Sequence, residues 1–346
     1  MSIDDRSDPI QGFSPAGQLL HLIGGYWITQ AIQVAAELGI ADLLGRKGRD
    51  VEDLARATNT HAPSLYRLLR SLASVGVFTE VAPRSFALTP MGVLLREDTP
   101  GNLRAFSRFQ GEAWHWGCWG DLLHTVRTGQ TAIAKREDVA NCFDYFAKNP
   151  GSAEVFNAAM SGYATHVNAA IIDAYDFSSA RCVVDVGGGT GTLLSAILAS
   201  SVLTRGILFD SPQVIAGAQP LLEALGTAER CDCIGGDFFG DIPQGGDIYV
   251  LCAVLHDWND ADVTRILRRV SAAMAPAARL LIVEHLLTPM NEADPAKFID
   301  LEMMLIAGGR ERTQEEYVAL LGSAGLRCER VVPTAMPVSI LEARLH

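Results

Sequence analysis

No stretch of the chain reaches about 18 uninterrupted apolar residues, so nothing in it reads as a membrane-spanning helix. The start, MSIDDRSDPIQGF, is acidic and polar and lacks the basic and apolar regions of a secretory signal peptide. A disulfide framework is missing too: there are seven cysteines, an odd number at irregular spacing, which suits free thiols in a reducing cytoplasm. The tightest pair, Cys231 and Cys233, has no second pair or histidine beside it, so no metal is expected. A basic surplus is also absent. The net charge is −12, with 11 Lys+Arg against 11 Asp+Glu in residues 1–110 and 17 against 29 in the remainder. Binding to phosphate backbones normally demands the opposite balance, so neither nucleic acid nor a membrane is an expected partner.

What remains is an ordinary globular composition, 49% hydrophobic and 20% charged, in 346 residues, enough for two domains. Residues 15–44 are apolar around much of their helical circumference and read as one or two helices. Such helices are normally buried, here within a small domain or against a second subunit. Residues 51–58 and 62–75 read as two helices, followed by a hairpin around 76–88: a winged helix-turn-helix. As a DNA reader it would use Ser64, Arg67 and Arg70; its neutral charge favours a packing module instead. Residues 102–180 look helical, and Trp114, Trp116, Trp119 and Phe143 read equally as pocket lining or plain core. From residue 181 strands alternate with helices, which implies a parallel sheet. The expected division is a winged-helix dimerisation domain over 1–100, a helical linker and pocket region over 101–180, and a Rossmann-like catalytic domain over 181–346.

The apolar runs of that last region stop at Asp185, Asp210, Asp237, His256 and Glu284, about one strand-plus-helix unit apart. In an open parallel sheet the ligand crevice lies outside the carboxyl ends of the strands, so these five polar groups should meet along one edge. The turn after the first strand, Asp185-Val186-Gly187-Gly188-Gly189-Thr190-Gly191, fails the dinucleotide fingerprint, because Thr192 stands where the third small residue belongs. An acidic residue followed by G-x-G-x-G suits S-adenosylmethionine, with Asp185, Gly187 and Gly189 at the cofactor and Asp210 accepting both ribose hydroxyls.

Together, VVDVGGGTG (183–191), FDSPQVI (209–215), GGDFF (235–239), LHDWND (255–260), LLIVE (280–284) and GGRERT (308–313) make the sequence similar to small-molecule O-methyltransferases of the caffeate, acetylserotonin and hydroxyneurosporene type. The resemblance runs from about residue 15 to 345. It implies a homodimer through the N-terminal domain and a Rossmann-like methyltransferase domain, with an aromatic substrate of secondary metabolism held between them. Carried over by position, it sets Asp237, Phe238 and Trp258 at the cofactor beside Gly187 and Asp210. His256 becomes the general base, with Glu284 and Glu311 flanking its ring, and Met160, Met303 and Met304 bracket a planar acceptor, to which Trp114 and Phe143 are added from the aromatic stretch as pocket candidates. Cys252 stands where some plant members carry a cofactor-contacting lysine.

Methyl transfer from a sulfonium has a good neutral leaving group, so the difficulty lies in the nucleophile. A phenol with a pKa near 10 is only about 0.1% ionised at pH 7. A positioned histidine with near-neutral pKa would supply about 10²–10⁴ in rate. Rival readings are N-methylation, decarboxylation or hydroxylation on the same scaffold, and a ligand-sensing transcription regulator built on the winged helix. An acidic hydroxyl is the substrate that needs His256.

Overall fold

The computed structural model describes residues 12–45 and 47–346, and the chain divides into two compact units. One ends at Trp116 and takes in Gly151–Tyr163; the other holds Gly117–Pro150 and Ala164–His346. The stretch 101–180 contributes to both. Most of the acidic start, residues 1–11, lies outside the described residues.

In the first unit the Asp50 carboxylate accepts from Glu52 N and so caps the helix Val51–Thr58, which buries Val51, Leu54 and Ala55. The helix Ala62–Ser74 buries Leu65, Leu69 and Leu72, one face at helical spacing. Three short strands, β1 (Arg49–Asp50), β2 (Phe78–Ala82) and β3 (Ser85–Leu88), pair antiparallel in the order β1-β3-β2. This is the winged helix read from the sequence. On its second helix Ser64 bonds His61, and the Arg70 guanidinium lies over the Tyr66 ring. The apolar stretch 15–44 forms three helices: Pro15–Ile23, Tyr26–Glu37 and Ile40–Leu43. The first of them buries no residue within the chain, and Leu20, Leu22 and Trp27 are 67%, 68% and 66% exposed.

The second unit is built on a seven-stranded sheet. Its strands are β4 (Cys182–Val186), β5 (Arg205–Asp210), β6 (Cys231–Gly235), β7 (Ile248–Cys252), β8 (Arg279–Glu284), β9 (Leu326–Pro333) and β10 (Ser339–Leu345), in the order β6-β5-β4-β7-β8-β10-β9. The first five run parallel, as the alternating grammar requires; β10 pairs antiparallel with both β8 and β9. That C-terminal hairpin is an addition to the expected parallel sheet, a common edge on such folds. Helices cover the sheet by simple rules. Asn259 accepts from Asp262 N and caps Asp260–Ala273, whose Val263, Ile266, Leu267 and Val270 are buried at i, i+3, i+4 and i+7. A capping box of Thr313 and Glu316 starts Gln314–Ser323. From β4 the chain builds β5 and β6 on one side and β7 and β8 on the other, so the crevice for a ligand opens beyond the end of β4. Among the described residues no helix is long and apolar enough to cross a membrane.

Candidate active site

The strand ends do converge, with one revision. Asp210 and Glu284 close β5 and β8, Asp185 lies just inside β4, and Asp237 falls shortly after β6. His256 is not at the exit of β7, which ends at Cys252; it sits in a 3-10 turn, Leu255–Asp257. The chain leaves β7 through Ala253 at φ 52°, left-handed backbone that a residue with a side chain seldom adopts. The Glu284 carboxylate secures the next two residues: Oε1 accepts from Val254 N at 3.1 Å and from Leu255 N at 2.8 Å.

The ring of His256 meets both glutamates on the same side. Nδ1 lies 2.9 Å from Glu311 Oε1 and 3.6 Å from Glu284 Oε2, so the expected flanking arrangement is instead two carboxylates on one nitrogen. A carboxylate only accepts, so Nδ1 carries the proton in the neutral ring, and Nε2 has the free lone pair. The nearest acid to Nε2 is Asp257, at 3.8 Å. Burial opposes a charge on this ring, but Glu284, the hydrogen bond to Glu311 and Asp257 outweigh it and raise the pKa to about 10. The sequence led to the expectation of a near-neutral base; the surrounding acids instead favour a ring that rests protonated at neutral pH and acts as a base only after it loses that proton. Burial, moderated by His256 and reinforced by Glu311, pushes Glu284 up to about 7. Oε2 of Glu284 and Oε2 of Glu311 are buried without a hydrogen-bond partner. The three side chains bring one ligand atom each within 4.8 Å of one another, a donor set that a divalent cation could also take.

Around the glycine turn the chain leaves room. Gly187 has φ 72°, and a Cβ there would stand 2.8 Å from Val254; Gly189 has φ 59° and open space where a Cβ would be. Asp210 faces this turn, its Oδ2 accepting from Gly189 N at 2.9 Å and its Oδ1 from Ser211 N at 2.6 Å, and a carboxylate keeps further acceptor sites. Asp185 is buried beneath Gly188 with Oδ2 unpartnered, and burial followed by the charge of Asp210 raises it to about 7. Trp258 meets Phe238 and Phe239 edge to face, at 5.7 and 4.8 Å from the two phenyl rings. Asp237 is exposed, and Cys252 is kept protonated by burial, then by Asp185 and Glu284. A buried acid lacking a donor, an open glycine cradle, an acceptor carboxylate and an aromatic cluster fit an adenosyl sulfonium bearing an amino-acid tail.

Of the acceptor-binding candidates, Met303 and Met304 are half-buried in a π-helical turn, Met303–Ala307, that follows the helix Ala296–Glu302. Such single π-turns are frequent at functional sites. In the same unit Phe143 is about half exposed, and Trp119 donates to Glu302 Oε2 at 2.6 Å. In the other unit Met160 is half-buried, while Trp114 is core, packed on Phe109 and His115 and bonded to Glu112. Sequence reasoning assigned no role to Asp257, which ends the histidine turn, or to Gly309 and Arg312, which touch it. Only their place within LHDWND and GGRERT marked them.

The O-methyltransferase domain family matches residues 119–327, and the O-methyltransferase dimerisation domain matches residues 20–98. The chain is 46% identical over 326 residues to the phenazine O-methyltransferase PhzM of Lysobacter antibioticus, covering 94% of this chain and 95% of that one. It is 41% identical over 328 residues to the mitomycin biosynthesis 6-O-methyltransferase of Streptomyces lavendulae, covering 93% of each. The solved structure of CalO1, a methyltransferase in calicheamicin biosynthesis in its S-adenosylhomocysteine-bound form, is similar with a TM-score of 0.87 at 31% identity, over 98% of this chain and 100% of that one.

Proposed function

The chain belongs to the S-adenosylmethionine-dependent O-methyltransferase family, and from that premise we propose that His256 takes the proton from an aromatic hydroxyl as the oxygen is methylated. When bound, S-adenosylmethionine supplies an electrophilic methyl and departs as a neutral thioether. The cofactor would be held by Asp210 at the ribose, by Gly187, Gly189 and Asp185 around the amino-acid portion, and by Asp237, Phe238 and Trp258 near the base, with Cys252 alongside. Met303, Met304, Met160 and Phe143 are our candidates for holding the acceptor; Trp114, as core, is not among them. Relatives that act on a phenazine and in mitomycin biosynthesis support an aromatic acceptor of secondary metabolism.

The observation that carries this reading is the 2.9 Å contact between His256 Nδ1 and Glu311. In the neutral ring it fixes the tautomer and leaves Nε2 as the acceptor, and it stabilises the imidazolium formed by proton transfer, as the acid does in a Ser-His-Asp triad. The acids that raise the ring's pKa also keep it protonated at neutral pH, so it takes a phenolic proton only from its neutral form, and turnover should rise with pH toward about 10. Amine methylation needs no such base, which favours oxygen. The proposed step draws on no metal. The matched dimerisation domain and the exposed apolar helix Pro15–Ile23 support a homodimer, with functional divisions at 1–100, 101–180 and 181–346. Seven free thiols support a cytoplasmic setting.

The test is His256→Ala. Cofactor affinity by calorimetry should stay near that of the parent, and kcat should fall by about 10²–10⁴. The loss should shrink for acceptors already ionised at the assay pH. An equal loss for weakly and strongly acidic phenols would show that the ring only positions substrate.

A further inference from the structure

Arg312 is wholly buried, and every N–H of its guanidinium is used. Nε and Nη2 both donate to Asp260 Oδ1, at 2.9 and 2.8 Å; Nη2 also donates to Trp258 O at 2.7 Å; Nη1 donates to Leu255 O at 3.0 Å and to Arg310 O at 3.4 Å. Its acceptors therefore stand on both sides of His256 in the chain: the carbonyl just before it, that of Trp258 just after, and the first residue of the following helix. The backbone of the same segment closes the remaining gap, since Arg310 N donates to His256 O at 2.8 Å. On its other side the segment is stitched to the exit of β8, where Leu287 N donates to Arg312 O at 3.0 Å. Glu311 lies between Arg310 and Arg312, so the residues that grip the turn also deliver its carboxylate.

We propose that Arg312 is a positioning residue: by forking onto Leu255 O, Trp258 O and Asp260 it sets the turn 255–258 against Glu311, and so holds His256 in register for the proton and Trp258 in register for the cofactor. Burying an arginine is costly, and its planar fork can be replaced neither by lysine, with three donors around a point, nor by an apolar side chain that leaves two carbonyls unpaired. Simple packing would not select a guanidinium at this place. The inference builds on the base reading of His256, yet the position of the ring can be read without turnover.

Arg312→Lys is the direct test, read by NMR titration of the His256 imidazole, assigned by its absence from His256→Ala. With the turn released from Glu311, the midpoint should fall by about one pH unit or more, because an opposing charge within contact range is worth that much. Turnover per bound cofactor should drop by about 10²-fold, the cost of a misplacement near 1 Å, and its rising pH limb should move to lower pH in step. A folded variant with an unchanged His256 titration overturns the proposal, whatever its activity. Should Arg312→Lys fail to fold, Asp260→Ala removes the shared acceptor from a half-exposed position. It should shift the midpoint in the same direction by less, and no shift there overturns the proposal equally. If the titration moves as stated while His256→Ala keeps its turnover, the positioning stands and the base reading falls.

Discussion

Histidine 256 is a charged-pair residue before it is a base. Its pKa is raised from an ordinary 6.5 to about 10, so the folded state holds that proton more tightly than the unfolded chain does. The stabilisation is complete below pH 6.5 and is lost as pH rises through about 10. Glu284, raised to about 7, acts in the same direction over a lower window and is spent as pH passes that value. Urea midpoints of the parent should therefore fall between pH 7 and 10 by more than those of His256→Gln; parallel falls would contradict the raised pKa. A second residue acts by having no side chain. A Cβ on Gly309 would overlap the His256 carbonyl oxygen and stand 2.8 Å from the backbone of Asp257. Gly309→Ala must push the turn away, and we expect it to cost about 1–3 kcal/mol of stability and about 10²-fold in kcat. Parental turnover in that variant would show that the turn yields freely.

At the scale of elements, legibility followed periodicity. Helices 51–58 and 62–74 carry one-sided apolar patterns and β4, β5, β7 and β8 nearly continuous apolar runs, and their places agree with the sequence reading. The hairpin β9–β10 went unread because LRCERVVP and SILEARL mix charges into every second or third position, with a proline at the end of the first and another in the loop between them. The shift of His256 from strand exit to 3-10 turn was hidden for a different reason. Ala253 at positive φ has no sequence signature, and the hydrogen bonds from Val254 and Leu255 go to a glutamate 30 residues away. The site was read as a set of residue types; its electrostatics came only from three acids meeting one ring. The helix that follows tests how firmly the turn is anchored. Asn259→Ala removes its cap and should cost about 1 kcal/mol by denaturant unfolding, with Asn259→Asp recovering most of it. Equal midpoints for the parent and Asn259→Ala would mean that Arg312 and Asp260 hold the helix start by themselves.

For the whole molecule, the matched dimerisation domain supports a homodimer, and if the helix Pro15–Ile23, none of whose residues is buried within one chain, lies in that contact, stability becomes a matter of mass action. A fold completed by its own twin has no fixed melting point: each tenfold dilution removes about 1.4 kcal/mol from the assembled state. Calorimetry on samples differing tenfold in concentration should give a Tm that climbs with concentration, and deletion of residues 1–44 should leave a chain that is monomeric or aggregates. A soluble dimer after that deletion, or a Tm indifferent to dilution, would remove the helix from the contact. If both expectations hold, the amount of active enzyme in a cell scales more steeply than the amount of chain made, because at low expression the subunits spend longer apart.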